Sequence, residues 1–282
     1  MERTLRTVAV GGQLLRVAVR PGDGARTPLL LANGIGASLE LLQPFVDALD
    51  PSIEVVRFDV PGVGGSPLPR IPYRLPRLAR LVARLLDRLG YRTVDMLGVS
   101  WGGGLAQQFA LGQRDRCRRL VLVATGTGTL MVPGRPRVLA RMATPRRYLD
   151  PGYAERVGAE LYGGSIRDDP GLARALLHGH SRVGPRRGYL YQLAAGAGWT
   201  SLPLLPWIRQ PTLLLAGDDD PIVPLVNARI MRRLLPDAEL CVYHGGHLGL
   251  LTEAAELAPV VDRFLARPHP TEASARSVRG GP

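Results

Sequence analysis

Lysine is absent from this chain: all 36 basic residues are arginine, set against 24 Asp and Glu. A formal net charge of +12 would suit a polyanionic partner. The arginines, however, are scattered as pairs such as Arg146-Arg147, Arg186-Arg187 and Arg232-Arg233. No aromatic-interleaved basic block and no basic recognition helix is present, so nucleic acid is not expected as a partner. Attraction to an anionic surface remains compatible with the charge. Cysteine is nearly absent too. Cys117 and Cys241 fit neither zinc nor redox spacing, so they read as plain buried or part-buried thiols and no metal site is expected. Long apolar runs are missing. Nothing approaches the ~20 consecutive apolar residues of a membrane-spanning helix. The opening "MERTLRTVAV" lacks the apolar core and cleavage site of a secretory signal, which makes the cytoplasm the expected location.

What is present is 282 residues, enough for one large α/β unit with an insertion. "TLRTVAV" and "QLLRVAVR" alternate around Gly11-Gly12 and predict a β-hairpin. Short apolar runs at 28–33, 54–60, 93–99, 119–125 and 211–217 predict buried strands, and 238–244 is the expected last strand. Between them lie helical patterns at 74–90, stopped by Gly90, and from Trp101 onwards; another follows at about 253–266. That alternation predicts a mostly parallel, doubly wound sheet with an antiparallel hairpin at one edge. Residues 130–205 break the rhythm and are expected to form a helical cap inserted into a core of 1–129 and 206–267. The polar tail 268–282 is expected to be disordered.

"LGVSWGGG" sets Ser100 in G-x-S-x-G spacing, a match that chance gives roughly once in ten chains of this composition. Its context is more specific: it follows a predicted strand and opens a predicted helix, where a nucleophile elbow belongs. A serine nucleophile needs a base. Of the five histidines, His269 lies in the tail, and His178 and His180 lie in the expected cap, where solvated or structural roles are expected. His247, beyond Gly245-Gly246 after the last strand, is the expected base, with His244 a local hydrogen-bonding residue. Asp220 in "GDDDPIVP" is the expected acid; Asp218 and Asp219 are expected to cap the following helix or face solvent. The order Ser, Asp, His is that of α/β-hydrolases. Backbone N–H groups of Ile35 and Trp101 are the expected oxyanion donors. "GVGGS" at 62–66 lacks the Lys-Ser/Thr of a phosphate loop. No cofactor is implied. Trp101, Trp199 and Leu202 are expected to offer apolar surface to a substrate.

These residues together carry a family likeness. The chain resembles the α/β-hydrolases, and more narrowly the intracellular medium-chain-length poly(3-hydroxyalkanoate) depolymerases. The likeness rests on "NGIGASLELLQPF", "FDVPGVGGSP", "YRLPRLARL", "LGVSWGGGLAQQFA", "CRRLVL", "MVPG", "GWTSLP" and "LAGDDDPIVPLVNARI". Asn33 stands where many hydrolases carry histidine. The resemblance implies a Ser100–Asp220–His247 triad that hydrolyses polyester bonds between 3-hydroxyacyl units. It also implies association with storage granules. Spacing alone implies a serine ester hydrolase, which leaves open a small-molecule carboxylesterase or lactonase. A non-catalytic granule-associated protein is the more distant alternative.

Overall fold

Among the described residues, eight strands form one sheet in the order β1-β2-β4-β3-β5-β6-β7-β8. They are β1 (Thr4–Val10), β2 (Gln13–Arg20), β3 (Leu29–Ala32), β4 (Val55–Phe58), β5 (Val94–Val99), β6 (Cys117–Val123), β7 (Thr212–Gly217) and β8 (Ala238–Tyr243). The computed structural model describes residues 4–179 and 182–268; His180 and residues 269–282, nearly all of the expected tail, lie outside them. The hairpin β1–β2 closes at Val10↔Gln13 through Gly11 and Gly12, both at positive φ (55° and 80°). Glycine tolerates that geometry, and the turn matches strand twist. Strand β2 pairs antiparallel with β4; every later pairing is parallel.

The continuous apolar runs are explained by two cores. Leu29 and Leu31 of β3 enter one, Leu30 and Ala32 the other; Val121 and Val123 oppose Leu120 and Leu122 in the same way on β6. Successive strand residues face opposite sides, so a strand covered by helices on both faces must be apolar throughout. One core holds Phe45 and Val46 of α1 (Gln43–Ala48), and Val261 and Phe264 of α12 (Ala254–Ala266). The other holds α2 (Leu75–Leu89) and α3 (Trp101–Gly112). Helix α2 begins with Pro76 in its first turn and ends on Gly90 at φ 84°, the left-handed C-cap its sequence predicts. Helix α10 (Val226–Leu234) lies between β7 and β8, and α11 (Gly249–Thr252) precedes α12.

Between β6 and β7 the chain is helical: α4 (Pro136–Met142), α5 (Arg146–Leu149), α6 (Pro151–Tyr162), α7 (Ser165–Asp168), α8 (Gly171–Gly179) and α9 (Arg186–Gly196). The stems of this cap meet at a Gly128↔Thr200 bridge, with Thr129 N–H donating to Trp199 O at 2.8 Å. The strand order reverses between β3 and β5, because β4 lies on one side of β3 and β5 on the other. In an open α/β sheet the crevice outside the carboxyl ends at such a reversal is the natural ligand position. Ser100 follows β5 directly, and the 33–37 loop follows β3.

The loop 59–66 wraps a carboxylate and shows no phosphate cradle. Asp59, fully buried, accepts from Leu39 N–H (2.7 Å) and Gly65 N–H (2.8 Å) and pairs with Arg16. Burial pushes its carboxyl group up, against the opposing pull of those hydrogen bonds and of Arg16.

Candidate active site

Ser100 occupies the turn between β5 and α3 at φ 53° and ψ −118°, backbone that a non-glycine residue adopts only under constraint. Its neighbours make the turn sterically possible. A Cβ on Gly98 would overlap the Gly102 carbonyl, and one on Gly102 would overlap the Ala32 carbonyl of β3. Ser100 N–H donates to Val123 O (2.9 Å), while Ser100 O accepts from Thr125 Oγ1 (2.7 Å). The side chain is thereby lifted out of the strand end at the N-terminus of α3, where developing negative charge is favoured.

His247 Nε2 lies 3.0 Å from Ser100 Oγ, and its Nδ1 lies 2.7 Å from Asp220 Oδ2. The second Asp220 oxygen accepts from Ile222 N–H and Val223 N–H, both at 2.9 Å, which sets the carboxylate plane. His247 and Asp220 are 4% and 8% exposed, whereas Ser100 is half-buried and open to the pocket. The structure thus brings the three predicted side chains into one chain of hydrogen bonds.

Of the neighbouring acids, Asp218 is exposed, one of the two expected alternatives, and Asp219 is part-exposed. Neither Asp218 nor Asp219 caps α10, whose N-cap, Leu225, has no side-chain bond. Asp218 instead accepts from Gly245 N–H and pairs with His244 at 3.0 Å, which holds the start of the histidine loop. Asp219 accepts from Gly164 N–H at 2.7 Å and from Arg167, and so ties the α6–α7 corner of the cap to the core. His244, fully exposed, is held above 6.5 by its hydrogen bond to Asp218 and by that carboxylate's charge. An NMR titration should therefore place its midpoint above 6.5 in the intact protein, and Asp218→Asn should bring it down. A midpoint indifferent to Asp218→Asn would contradict the pairing.

Two Gly-Gly pairs remote in sequence explain each other. A Cβ on Gly246 would overlap Tyr162 O, one on Gly163 would overlap Asp219 O, and one on Gly164 would overlap Gly246 N. "YGGS" of the cap and "HGGH" of the core therefore meet backbone to backbone. His247 N–H donates to Tyr162 O at 2.7 Å across this junction. Tyr243 Oη donates to Gly246 O at 3.1 Å and supports the loop from below.

Asn33 fastens the loop after β3: its Nδ2 donates to Ser38 O at 2.7 Å, and its Oδ1 accepts from Gly34 N–H at 2.9 Å. Ile35 lies in that loop and lines the pocket with Ser100. Trp101 is the first residue of α3, so its N–H belongs to the turn that has no intrahelical acceptor. The Trp101 indole is engaged elsewhere. It donates to Gln192 O of α9 at 2.9 Å, while Gln192 Oε1 accepts from Gly36 N–H at 2.7 Å. Gln192 is 1% exposed. One buried cap residue therefore joins the segments of both expected oxyanion donors, a link no local sequence signal announces.

The pocket beside Ser100 has Leu41, Leu42, Leu248, Leu250, Leu251 and Met142 in its wall. Neither Trp199 nor Leu202 is among its lining residues, and the Trp101 ring is not either. The structure therefore does not bring the three expected platform residues together in this pocket. Trp199 donates to Gln108 Oε1 at 2.9 Å and packs, like Leu202, against the α2–α3 core on the other face of the sheet. His178 has a structural place, with Nε2 2.9 Å from Arg147 O. The wall also holds residues the sequence did not single out: Arg147 and Tyr148 of α5, and Tyr162 of α6. Among the described residues no helix is long and apolar enough to cross a membrane, and no cluster of His, Cys, Asp and Glu could hold a metal ion.

The architecture and the elbow define a class, and the chain belongs to it: residues 27–254 match the α/β hydrolase fold family. Over 261 residues it is 54% identical to a poly(3-hydroxyalkanoate) depolymerase of Ectopseudomonas oleovorans, covering 92% of each chain. It is 24% identical to 3-oxoadipate enol-lactonase 2 of Acinetobacter baylyi, covering 87% of this chain and 91% of the relative. Among solved structures, the enol-lactonase from Burkholderia xenovorans LB400 superposes with a TM-score of 0.79 at 23% identity, covering 93% of this chain and all of that one, which shows the shared fold.

Proposed function

We propose that this hydrolase cleaves the ester bonds of medium-chain-length poly(3-hydroxyalkanoate) through an acyl-enzyme. The observation that carries the chemistry is the Ser100–His247–Asp220 chain at 3.0 and 2.7 Å, set on a strained elbow. His247 removes the Ser100 proton as Oγ attacks the ester carbonyl. Asp220 holds the Nδ1–H tautomer and stabilises the imidazolium. The N–H groups of Ile35 and Trp101 receive the developing oxyanion. His247 then gives its proton to the departing 3-hydroxyl oxygen, and deprotonates the water that releases the acyl group.

The identity of 54% to a poly(3-hydroxyalkanoate) depolymerase supports the polymer as substrate. The leucine-lined pocket suits an alkyl side chain, because burying apolar surface is its main source of affinity. Residence in the cytoplasm at storage granules is part of the same reading.

The test compares latex of a medium-chain polyester with short p-nitrophenyl esters, using the full chain. Clearing of the latex with release of 3-hydroxy acids is expected. Turnover of the soluble esters alone would leave a small-molecule esterase or lactonase and sink the depolymerase reading.

A further inference from the structure

The pocket wall contains a cation with no carboxylate partner among the described residues. Arg147 is 2% exposed, and among the described residues no carboxylate lies within ion-pair distance of it. Its acceptors are all neutral: Thr144 O (3.2 Å), Tyr189 Oη (2.8 Å) and Ile35 O (3.3 Å). The Tyr148 and Tyr189 rings lie under the guanidinium, 4.6 and 5.3 Å from their centroids. Its Nε has no acceptor at hydrogen-bonding geometry, and the buried Tyr162 hydroxyl beside it faces the Arg147 guanidinium with no acceptor for its own proton. A buried charge without a counter-ion is costly, and a buried donor without an acceptor adds to that cost. Arg147 and Tyr162 both line the pocket that Ser100 and His247 line.

We propose that Arg147 and Tyr162 form a carboxylate subsite that selects the free acid end of the polyester chain, so that the enzyme removes the terminal 3-hydroxy acid. This rests on the polyester reading above. The terminal carboxylate is the one anion that such a chain carries. Only the ester oxygen, C3 and C2 separate it from the last ester carbonyl. In this reading Ile35 links the two groups. Ile35 donates towards the oxyanion through its N–H and accepts from Arg147 through its own C=O, and one residue spans about 3.8 Å. A guanidinium and a hydroxyl around a carboxylate supply the charge-assisted bonds this buried cation lacks. With the carboxylate there, the terminal alkyl group meets the leucine wall. The Ser100 Oγ–carbonyl bond forms, the bond from that carbonyl to the terminal 3-oxygen breaks, and that oxygen leaves with the His247 proton as the free 3-hydroxy acid.

The experiment hydrolyses the trimer of 3-hydroxyoctanoate and its methyl ester side by side with the full chain. The acid should be preferred by about tenfold or more in kcat/KM, because a site built for a polar group rejects the analogue lacking it. That ratio should fall to near one in Arg147→Met. It should drop several-fold in Tyr162→Phe, which removes a single oxygen and so serves if Arg147→Met does not fold. Equal rates on acid and methyl ester, or a ratio unchanged in Tyr162→Phe, would overturn the subsite while leaving polyester hydrolysis intact. Competition by 3-hydroxyoctanoate against p-nitrophenyl octanoate separates the two readings. If neither trimer is cleaved, the polymer reading falls. The subsite then stands only if the free acid competes, its methyl ester does not, and Arg147→Met abolishes the difference. Competition by octanoate equal to that of 3-hydroxyoctanoate would assign the subsite to carboxylates in general.

Discussion

Ser100→Ala should abolish ester hydrolysis while leaving the protein folded. A loss of about 10³–10⁶ in kcat is expected, the range seen when one member of such a hydrogen-bonded set is removed. His247→Ala should cost about as much, and the double variant little more than either alone, because the two act as a unit. Asp220→Asn should lower kcat by about 10⁴, since an amide at 2.7 Å from Nδ1 favours the wrong tautomer of His247. Far-UV circular dichroism and thermal unfolding check that the fold is retained, and initial rates on a soluble ester measure the loss. A Ser100→Ala protein that turns over at the original rate would refute the assignment. Independent, multiplicative losses in the double variant would argue that Ser100 and His247 do not cooperate.

The second large effect is steric. Gly102→Ala should cripple both activity and stability, although alanine is the better helix former. Its Cβ would overlap the Ala32 and Asn33 carbonyl oxygens, backbone that cannot rotate aside. Relief requires α3 and the end of β3 to separate, and the end of β3 leads into the loop that carries Ile35. Overpacking of this kind costs about 1–3 kcal/mol, roughly 4–8 °C in Tm for a middle value in a chain of this size. Displacing the donors from the attack geometry by about 1 Å costs about 10²-fold in kcat. Gly112→Ala is the internal control, since a Cβ there meets nothing within 4 Å. Helix propensity makes that change neutral to stabilising, by about 0.5–1 kcal/mol at most. Differential scanning calorimetry and initial rates on both variants decide the matter. Equal behaviour of the two would remove the steric account of the elbow.

Much of this molecule is legible locally. Residues 29–32 and 120–123 read as buried strands because each consecutive side chain enters one of two cores, which only a continuous apolar run satisfies. Gly11-Gly12 and Gly90 mark their turns because left-handed backbone favours glycine. Ser100 reads as an elbow because its glycine neighbours answer overlaps with β3 and α3 that any chain turning there must avoid. Asp220 was separable from its neighbours by the loop that follows it. What Asp218 and Asp219 do was not, because their partners, His244 and the α6–α7 corner, are remote in sequence.

The cap resists reading for the same reason. Its helices α5 and α7 span four residues each, too short for a periodic stripe. Their faces are chosen by what the core presents, not by any pattern of their own. Trp199 and Leu202 look like substrate platform by composition, but tertiary packing sends them to the opposite face of the sheet. The pocket wall draws instead on the 33–42 loop, the end of β5, Met142, Arg147, Tyr148, Tyr162 and the 247–251 loop.

By itself, the sequence determined the strands, the two-sided sheet, the elbow and the positions of Ser100, Asp220 and His247 just beyond strand ends. These depend on burial periodicity and backbone conformation, which neighbouring residues dictate. Only the tertiary structure decided that Gln192 joins the Gly36 and Trp101 segments, that the two Gly-Gly pairs are apposed, and that Arg147 lies in the pocket wall with no carboxylate partner among the described residues. Each of these is a relation between segments many residues apart, and such a relation has no energy until the sheet brings the segments together.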